Sequence, residues 1–139
     1  MFVDKELLLS DSQDLAQTAD TYYSTNAINL SGVVGDVGSG TPLYMNIVVD
    51  TAFTSSGSAT VVFTIIDEED STLDGSSVVI LQTRAIAYTL LTEGKTICIP
   101  LPAGLITQQY IGMSYVIAGA TTTAGKVSSF ISTQPVLNP

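Results

Sequence analysis

Leu43, Met45, Ile47 and Val49 alternate with Tyr44, Asn46 and Val48. Val61, Phe63 and Ile65 alternate with Thr60, Val62 and Thr64, and Ile111, Met113, Tyr115 and Ile117 alternate with Tyr110, Gly112, Ser114 and Val116. Apolar residues at every second position suit a strand with one buried face and leave a helix with no apolar stripe. Residues 78–81, 97–101 and 127–131 are shorter runs of the same kind, the last diluted by Ser128 and Ser129. Gly, Ser, Asp and Pro clusters separate the runs, at residues 35–40, 54–58, 93–95 and 102–104. About seven to nine short strands punctuated by turns predict an all-β, antiparallel β-sandwich or barrel. Pro100 and Pro102 belong at a strand end, because proline donates nothing to a central ladder.

The first thirty residues are less regular. Leu7 and Leu9 alternate as in a strand, whereas Leu8, Leu15, Ala16 and Ala19 fit only a poor helix. The expectation is an extended N-terminal arm, residues 1–25, with one or two short strands, packed on a single sandwich domain of residues 26–139. Asp4, Lys5 and Glu6 stand where an apolar leader would have to begin, so none is expected, and no apolar run reaches the ~20 residues of a membrane helix. A product made in the cytoplasm is expected.

Composition excludes several function classes. The 139 residues contain no histidine, so serine–histidine and cysteine–histidine pairs and histidine zinc sites are ruled out. Net charge is −9, with only Lys5, Arg84, Lys95 and Lys126 positive, which argues against nucleic acid and against anionic membranes as partners. Residues 119–127 imitate a phosphate loop, but five residues separate the glycines where four are needed, and Val127 stands in the Ser/Thr position. A hairpin turn is the better reading. The glycines of residues 35–40 read as a flexible turn and not as a dinucleotide fingerprint. Asn29-Leu30-Ser31 fits the glycosylation sequon, which is read as chance. Cys98, the only cysteine, sits between Ile97 and Ile99 and is expected to be a buried thiol.

The stretch DEEDSTLD, residues 67–74, carries five of the thirteen acidic residues. Calcium needs six to eight converging oxygens from a bent loop, and this order of residues lacks the required glycine. Alternation along an extended chain also sends consecutive acids to opposite sides. The simplest reading is a solvated loop between strands at 60–66 and 78–81, with weak calcium binding and partner contact as alternatives. No isolated Asp or Glu is seen within an apolar strand, so no acid–base residue stands out. The expectation is no enzyme, no cofactor and no metal.

The opening MFVDKELLLSDSQ resembles the M-x-x-D-K-x-L-x-x-S-D-x-Q start of phage capsid cement proteins, typified by that of a Bordetella phage. The similarity continues through TNAINLS, through DVGSGTPLYMNIVVDTAFTSSGSATVVFTI and through PAGLITQQYIGMSYVIAGATTTAGKVSSFIS. It departs at Leu9, where an aromatic is expected, and in a longer segment at residues 17–23. The resemblance implies a jelly-roll decoration protein on the outside of an icosahedral head, bridging major capsid protein subunits against internal DNA pressure. It implies a homodimer, or failing that a trimer, and a place in the virion. Asp4, Lys5, Leu7, Leu9 and Asp11 in the arm are the expected partner contacts. The alternatives are a carbohydrate-binding sandwich, with Tyr22, Tyr23 and Tyr110 as stacking platforms, and a low-copy head–tail subunit.

Overall fold

In a computed structural model that describes residues 7–30, 42–101 and 104–133, the alternating runs become strands. The described residues form β1 (Leu8–Asp14), β2 (Thr21–Tyr23), β3 (Ile28–Asn29), β4 (Tyr44–Ser55), β5 (Thr60–Glu68), β6 (Val78–Gln82), β7 (Ile86–Ala87), β8 (Thr96–Pro100), β9 (Tyr110–Ala118) and β10 (Thr122–Ser132). One sheet has the order β1-β10-β4-β8, the other β2-β9-β5-β6, with β3 added to β9 and β7 to β5. Every pairing is antiparallel. Taking β2 with β3, and β6 with β7, as two interrupted strands leaves eight strands in the order 1-8-3-6 and 2-7-4-5. That is the double Greek key of a jelly roll. The segment set apart as an arm supplies β1 and β2, an edge strand for each sheet.

The period-two pattern decides which faces meet. Met45, Ile47 and Val49 on β4, Val61, Phe63 and Ile65 on β5, and Ile111, Met113, Tyr115 and Ile117 on β9 are all buried in one core between the sheets. The β5–β9 register runs without interruption from Thr60↔Ala118 to Glu68↔Tyr110, so both strands present their apolar sets to the same side. The phosphate-loop lookalike is the β9–β10 hairpin and the start of β10. Gly119 turns there with φ +83, and a side chain at it would strike the Ser58 carbonyl. The glycines at 35–40 lie outside the described residues.

Two expectations at the other edge are resolved differently. β8 ends at Pro100 on the rim of its sheet, where a missing N–H costs nothing. Pro102 lies outside the described residues. Cys98, however, is only half-buried. Ile97 and Ile99 stand opposite Ile47 and Met45 and take the inward positions, which turns Cys98 to the other face opposite Asn46. What burial it has pushes its thiol pKa up.

A polar chain crosses the apolar interior. The Tyr115 hydroxyl lies 2.8 Å from Ser10 Oγ and 2.8 Å from Ser129 Oγ, joining β9 of one sheet to β1 and β10 of the other. Ser10 gives its one proton to Gln13 Oε1 at 2.6 Å, and Gln13 Nε2 donates to the Tyr23 carbonyl at 2.8 Å. Ser10 must therefore accept from Tyr115, and Tyr115 from Ser129. Bulges in β1 between Leu8 and Ser10 and between Ser10 and Gln13 allow consecutive Leu9 and Ser10 both to be buried. The Tyr115 ring meets Phe63 edge to face, with centroids 5.8 Å apart.

Burial pushes the Tyr115 phenol up to about 12 from the ordinary 10, against the two serine hydrogen bonds that lower it. A raised pKa means that this group's stabilising effect is complete below pH 10 and is lost as pH rises towards 12. That loss is on the order of 2–3 kcal/mol. Tyr115→Phe should cost about 1–3 kcal/mol at neutral pH, because Ser10 and Ser129 lose their buried partner. It should also remove this share of the alkaline loss. Denaturant melts of both proteins from neutral pH to pH 12 check this, and parallel curves would contradict it.

Candidate functional site

The acidic stretch is the place where structure and sequence part most. β5 runs on through Asp67 and Glu68, two residues beyond the expected end. Asp67 continues the inward series of Val61, Phe63 and Ile65, stands opposite Ile111, and is fully buried. An ionisable residue therefore does lie at the end of an apolar strand, which corrects the expectation that none would. Its Oδ2 accepts from the backbone N–H groups of Thr107 at 3.1 Å and Gln108 at 3.3 Å. These donors lie in the loop between β8 and β9, and the carboxylate takes the place of a strand partner for them. Asp67 Oδ1 and Gln108 Oε1 are buried with no hydrogen-bond partner in the protein.

Glu68 points to the opposite, outer face and organises the turn after β5. It accepts from the hydroxyl of Ser77 at 2.8 Å and the N–H of Glu69 at 3.1 Å, and at 3.0 Å it shares with Asp74 the one proton of the Ser76 hydroxyl. Ser77 above all, then the Glu69 N–H, hold its pKa below the usual carboxylate value, against the desolvation that raises it. Asp74 accepts from the Ser76 N–H at 2.8 Å and from its hydroxyl at 2.6 Å, and its pKa is likewise lowered. Leu73 lies directly over Gly112, where any side chain on β9 would collide with it. Residues 69–77 thus form a bonded flap on the six-stranded sheet. The solvated-loop reading holds only for exposed acids such as Glu69 and Asp70. The local reason is that Glu68 is the last outward residue of β5, and the serines beyond the turn come back within its reach.

Beside the flap is a shallow groove of about 230 Å³ on the outer sheet face, floored by Thr64, Ile66 and Ser114 and edged by Tyr23, Asp74 and Val79. Nothing in it couples a nucleophile to a base. Among the described residues no three His, Cys, Asp or Glu side chains come together as a metal would need. No helix among them is long and apolar enough to cross a membrane. Tyr22, Tyr23 and Tyr110 are all half-buried. Tyr22 packs on the core, and its hydroxyl donates to the Thr18 carbonyl at 2.8 Å.

The arm residues separate into three groups. Asp4 and Lys5 lie outside the described residues. Leu9 is fully buried in the chain's own core, and Leu7 is half-buried against it, so the pair anchors the arm to its own sandwich. This corrects Leu9 as a partner contact, because a side chain already removed from water has no surface left to offer. Asp11 is exposed. Sequence reasoning misses the surface that does stand out. Val78, Val79 and Leu81, on β6 at a sheet edge, are 48%, 55% and 37% exposed. The signal is present in the run Val78-Val79-Ile80-Leu81, which pattern alone assigns to an ordinary strand with a buried face.

Two outcomes test the flap and the acids that hold it. Since the Glu68 pKa is lowered, its stabilising effect is present above the ordinary 4.5 and is lost as pH falls through the folded value. Glu68→Gln should lower the melting temperature at neutral pH and flatten its fall in acid, and an unchanged acid profile would contradict the flap's anchorage. Millimolar calcium or EDTA should leave the wild-type melting temperature unchanged. A rise with calcium would mean that the unpartnered oxygens of Asp67 and Gln108 take a cation.

Comparison with known proteins is informative at the level of the family. No curated protein matches the chain. A model of the Bbp16 family, a phage-related family named for a Bordetella phage protein, matches residues 9–131. That span begins at the buried Leu9 and ends at Ile131 near the close of β10, so it takes in both sheets of the jelly roll. The chain belongs to the Bbp16 family, and the family points to a phage structural protein.

Proposed function

We propose that this protein is a capsid cement protein, bound to the outer surface of an icosahedral phage head and bridging major capsid protein subunits. The observation that carries this reading is membership of a phage family over nearly the whole jelly roll, residues 9–131. Three physical features support it. The ionisable groups that the fold buries, Asp67, Glu68 and Tyr115, are engaged in holding the fold, which suits a non-enzymatic role. The two sheets are tied together by buried hydrogen bonds, which suits a part that must carry load. A net charge of −9 keeps the molecule off packaged DNA.

The mechanism is mechanical. DNA pressure acts outward on the joints between capsid subunits. A rigid body attached on both sides of a joint must be released before the joint opens. An interface of about 1,600 Å² spans roughly micromolar to picomolar affinity, about 8 to 16 kcal/mol per joint. Two attachments on one body raise the effective concentration of the second, so modest contacts hold firmly together. In this reading the bridging unit is a homodimer, and Asp4, Lys5 and Asp11 in the arm are rim contacts to the capsid.

Adding the purified protein to undecorated heads of the parent phage tests the proposal. The expected result is saturable binding at a copy number that follows the number of capsid subunits, with DNA retained to higher temperature. Absence of binding, or saturation at a handful of copies, would overturn it in favour of a joint or tail subunit. Replacing Asp11 with Arg should weaken decoration and leave the melting temperature within a degree or two, since the side chain is exposed.

A further inference from the structure

We infer that the shallow groove beside the flap is a carbohydrate subsite, which takes one neutral pyranose unit. A single rung of the six-stranded sheet makes it. Tyr23 on β2 stands opposite Ser114 on β9, Ser114 opposite Thr64 on β5, and Thr64 opposite Gln82 on β6. All four line the groove on the outer face, because alternation turns Tyr22, Phe63 and Met113 towards the core. The rung is short in the middle and long at its ends, so two small side chains lie at the bottom of a trough. Thr64 and Ser114 are only 2% and 5% exposed. No hydrogen bond with a described residue uses the side chain of any of the four. Neither deep hydroxyl is sealed from the groove. Hydroxyls at this depth, with no partner in the protein and an opening before them, take their partners from outside.

The chemistry of the lining selects the ligand. Each hydroxyl both donates and accepts, and so does the Gln82 amide. At the rim Asp74 receives both Ser76 hydrogen bonds on Oδ1, which leaves Oδ2 to accept from a ligand. Among the described residues that line the groove, Asp74 alone is charged. A phosphate or carboxylate therefore finds no counter-charge, and a metal ion finds one carboxylate where it needs several oxygens. A peptide strand finds no free backbone, because β9 and β5 are central strands with ladders on both sides. What fits is a neutral ligand with several hydroxyls and some C–H surface, the latter set against Ile66, Val79 and Val116. The groove of about 230 Å³ is smaller than the about 300–1,000 Å³ of sites for drug-sized ligands, so it suits one ring. The assignment does not rest on the cement role, although many copies on one head would let singly weak sites act together.

Chemical-shift titration of the isotope-labelled protein with the methyl glycosides of D-glucose, D-galactose, D-mannose, L-fucose and N-acetyl-D-glucosamine tests it. At least one should shift the amide signals of residues 21–23, 64–66, 74–79 and 114–116 saturably, with a Kd on the order of millimolar. Glycerol and inorganic phosphate should not. Thr64→Val and Ser114→Ala each remove one hydroxyl with little change of shape, and each should weaken binding about tenfold. Neither should lower the melting temperature, since no hydrogen bond within the protein is lost. Tyr110→Phe, outside the groove, should change nothing. A panel with no saturable shift would overturn the site, and so would an equal response to glycerol or phosphate. Binding that Thr64→Val and Ser114→Ala leave untouched, or that Tyr110→Phe removes, would put the sugar elsewhere and overturn the groove. If no glycoside binds and Thr64→Val abolishes decoration of heads, the groove meets the capsid protein, and the sugar is overturned while the proposed function survives.

Discussion

Two sheets must stay in one register over an apolar interface, and Tyr115 is the residue that holds them there. Apolar packing alone is tolerant of small slips, since one branched side chain fills much the same space as another. A buried hydroxyl is not tolerant, because leaving it unpaired costs more than pairing it gains. Tyr115 finds Ser129 on β10 and Ser10 on β1 only when β9 lies at one height relative to the opposite sheet. Ser10 is available only because β1 bulges, and Gln13 then carries the chain of hydrogen bonds back to β2 through the Tyr23 carbonyl. The edge strands β1 and β2 are thus bound to the centre of the molecule, which a short N-terminal segment would not ordinarily be.

The acidic stretch obeys the same logic at the other end of the sandwich. Asp67 and Glu68 are neighbours on β5, and alternation sends them to opposite sides of one sheet. Inward, Asp67 satisfies backbone N–H groups of the β8–β9 loop. Outward, Glu68 gathers Ser76 and Ser77 and folds the flap down, with Leu73 seated on Gly112. Two adjacent carboxylates thereby settle two separate loops. A sequence that reads as a run of repelling charges is, in its first half, a pair of structural acceptors, and only its second half faces water.

These arrangements suit a load-bearing protein. A cement protein must transmit force between its contacts without deforming, and buried polar links across the sandwich oppose shear between the sheets. Its surface must be quiet towards DNA and attractive towards a few protein faces. Few charges overall, an acidic balance and an apolar strip at one edge are compatible with the proposed role.

Much of the fold was legible in sequence because period two survives any tertiary context: Met45, Phe63 and Met113 are inward because their neighbours in the run are inward. The same rule already placed Asp67 inside, yet its charge argued for water, and only the loop donors it meets in three dimensions resolve the conflict. Leu9 looked like a contact because it sat in a recognisable terminal string, and the β1 bulge turned it into core. Cys98 looked buried because its neighbours are apolar, and the pairing with Asn46 turned it away. The sequence by itself determined the antiparallel sandwich-or-barrel class, the inward residues of the long strands and the absence of histidine chemistry, since these depend on pattern and composition. Only the tertiary structure decided which polar groups meet across the core, where the bulges fall and which strand is left uncovered at an edge. Those depend on partners far apart in the chain, such as Ser10 and Tyr115, that no local pattern brings together.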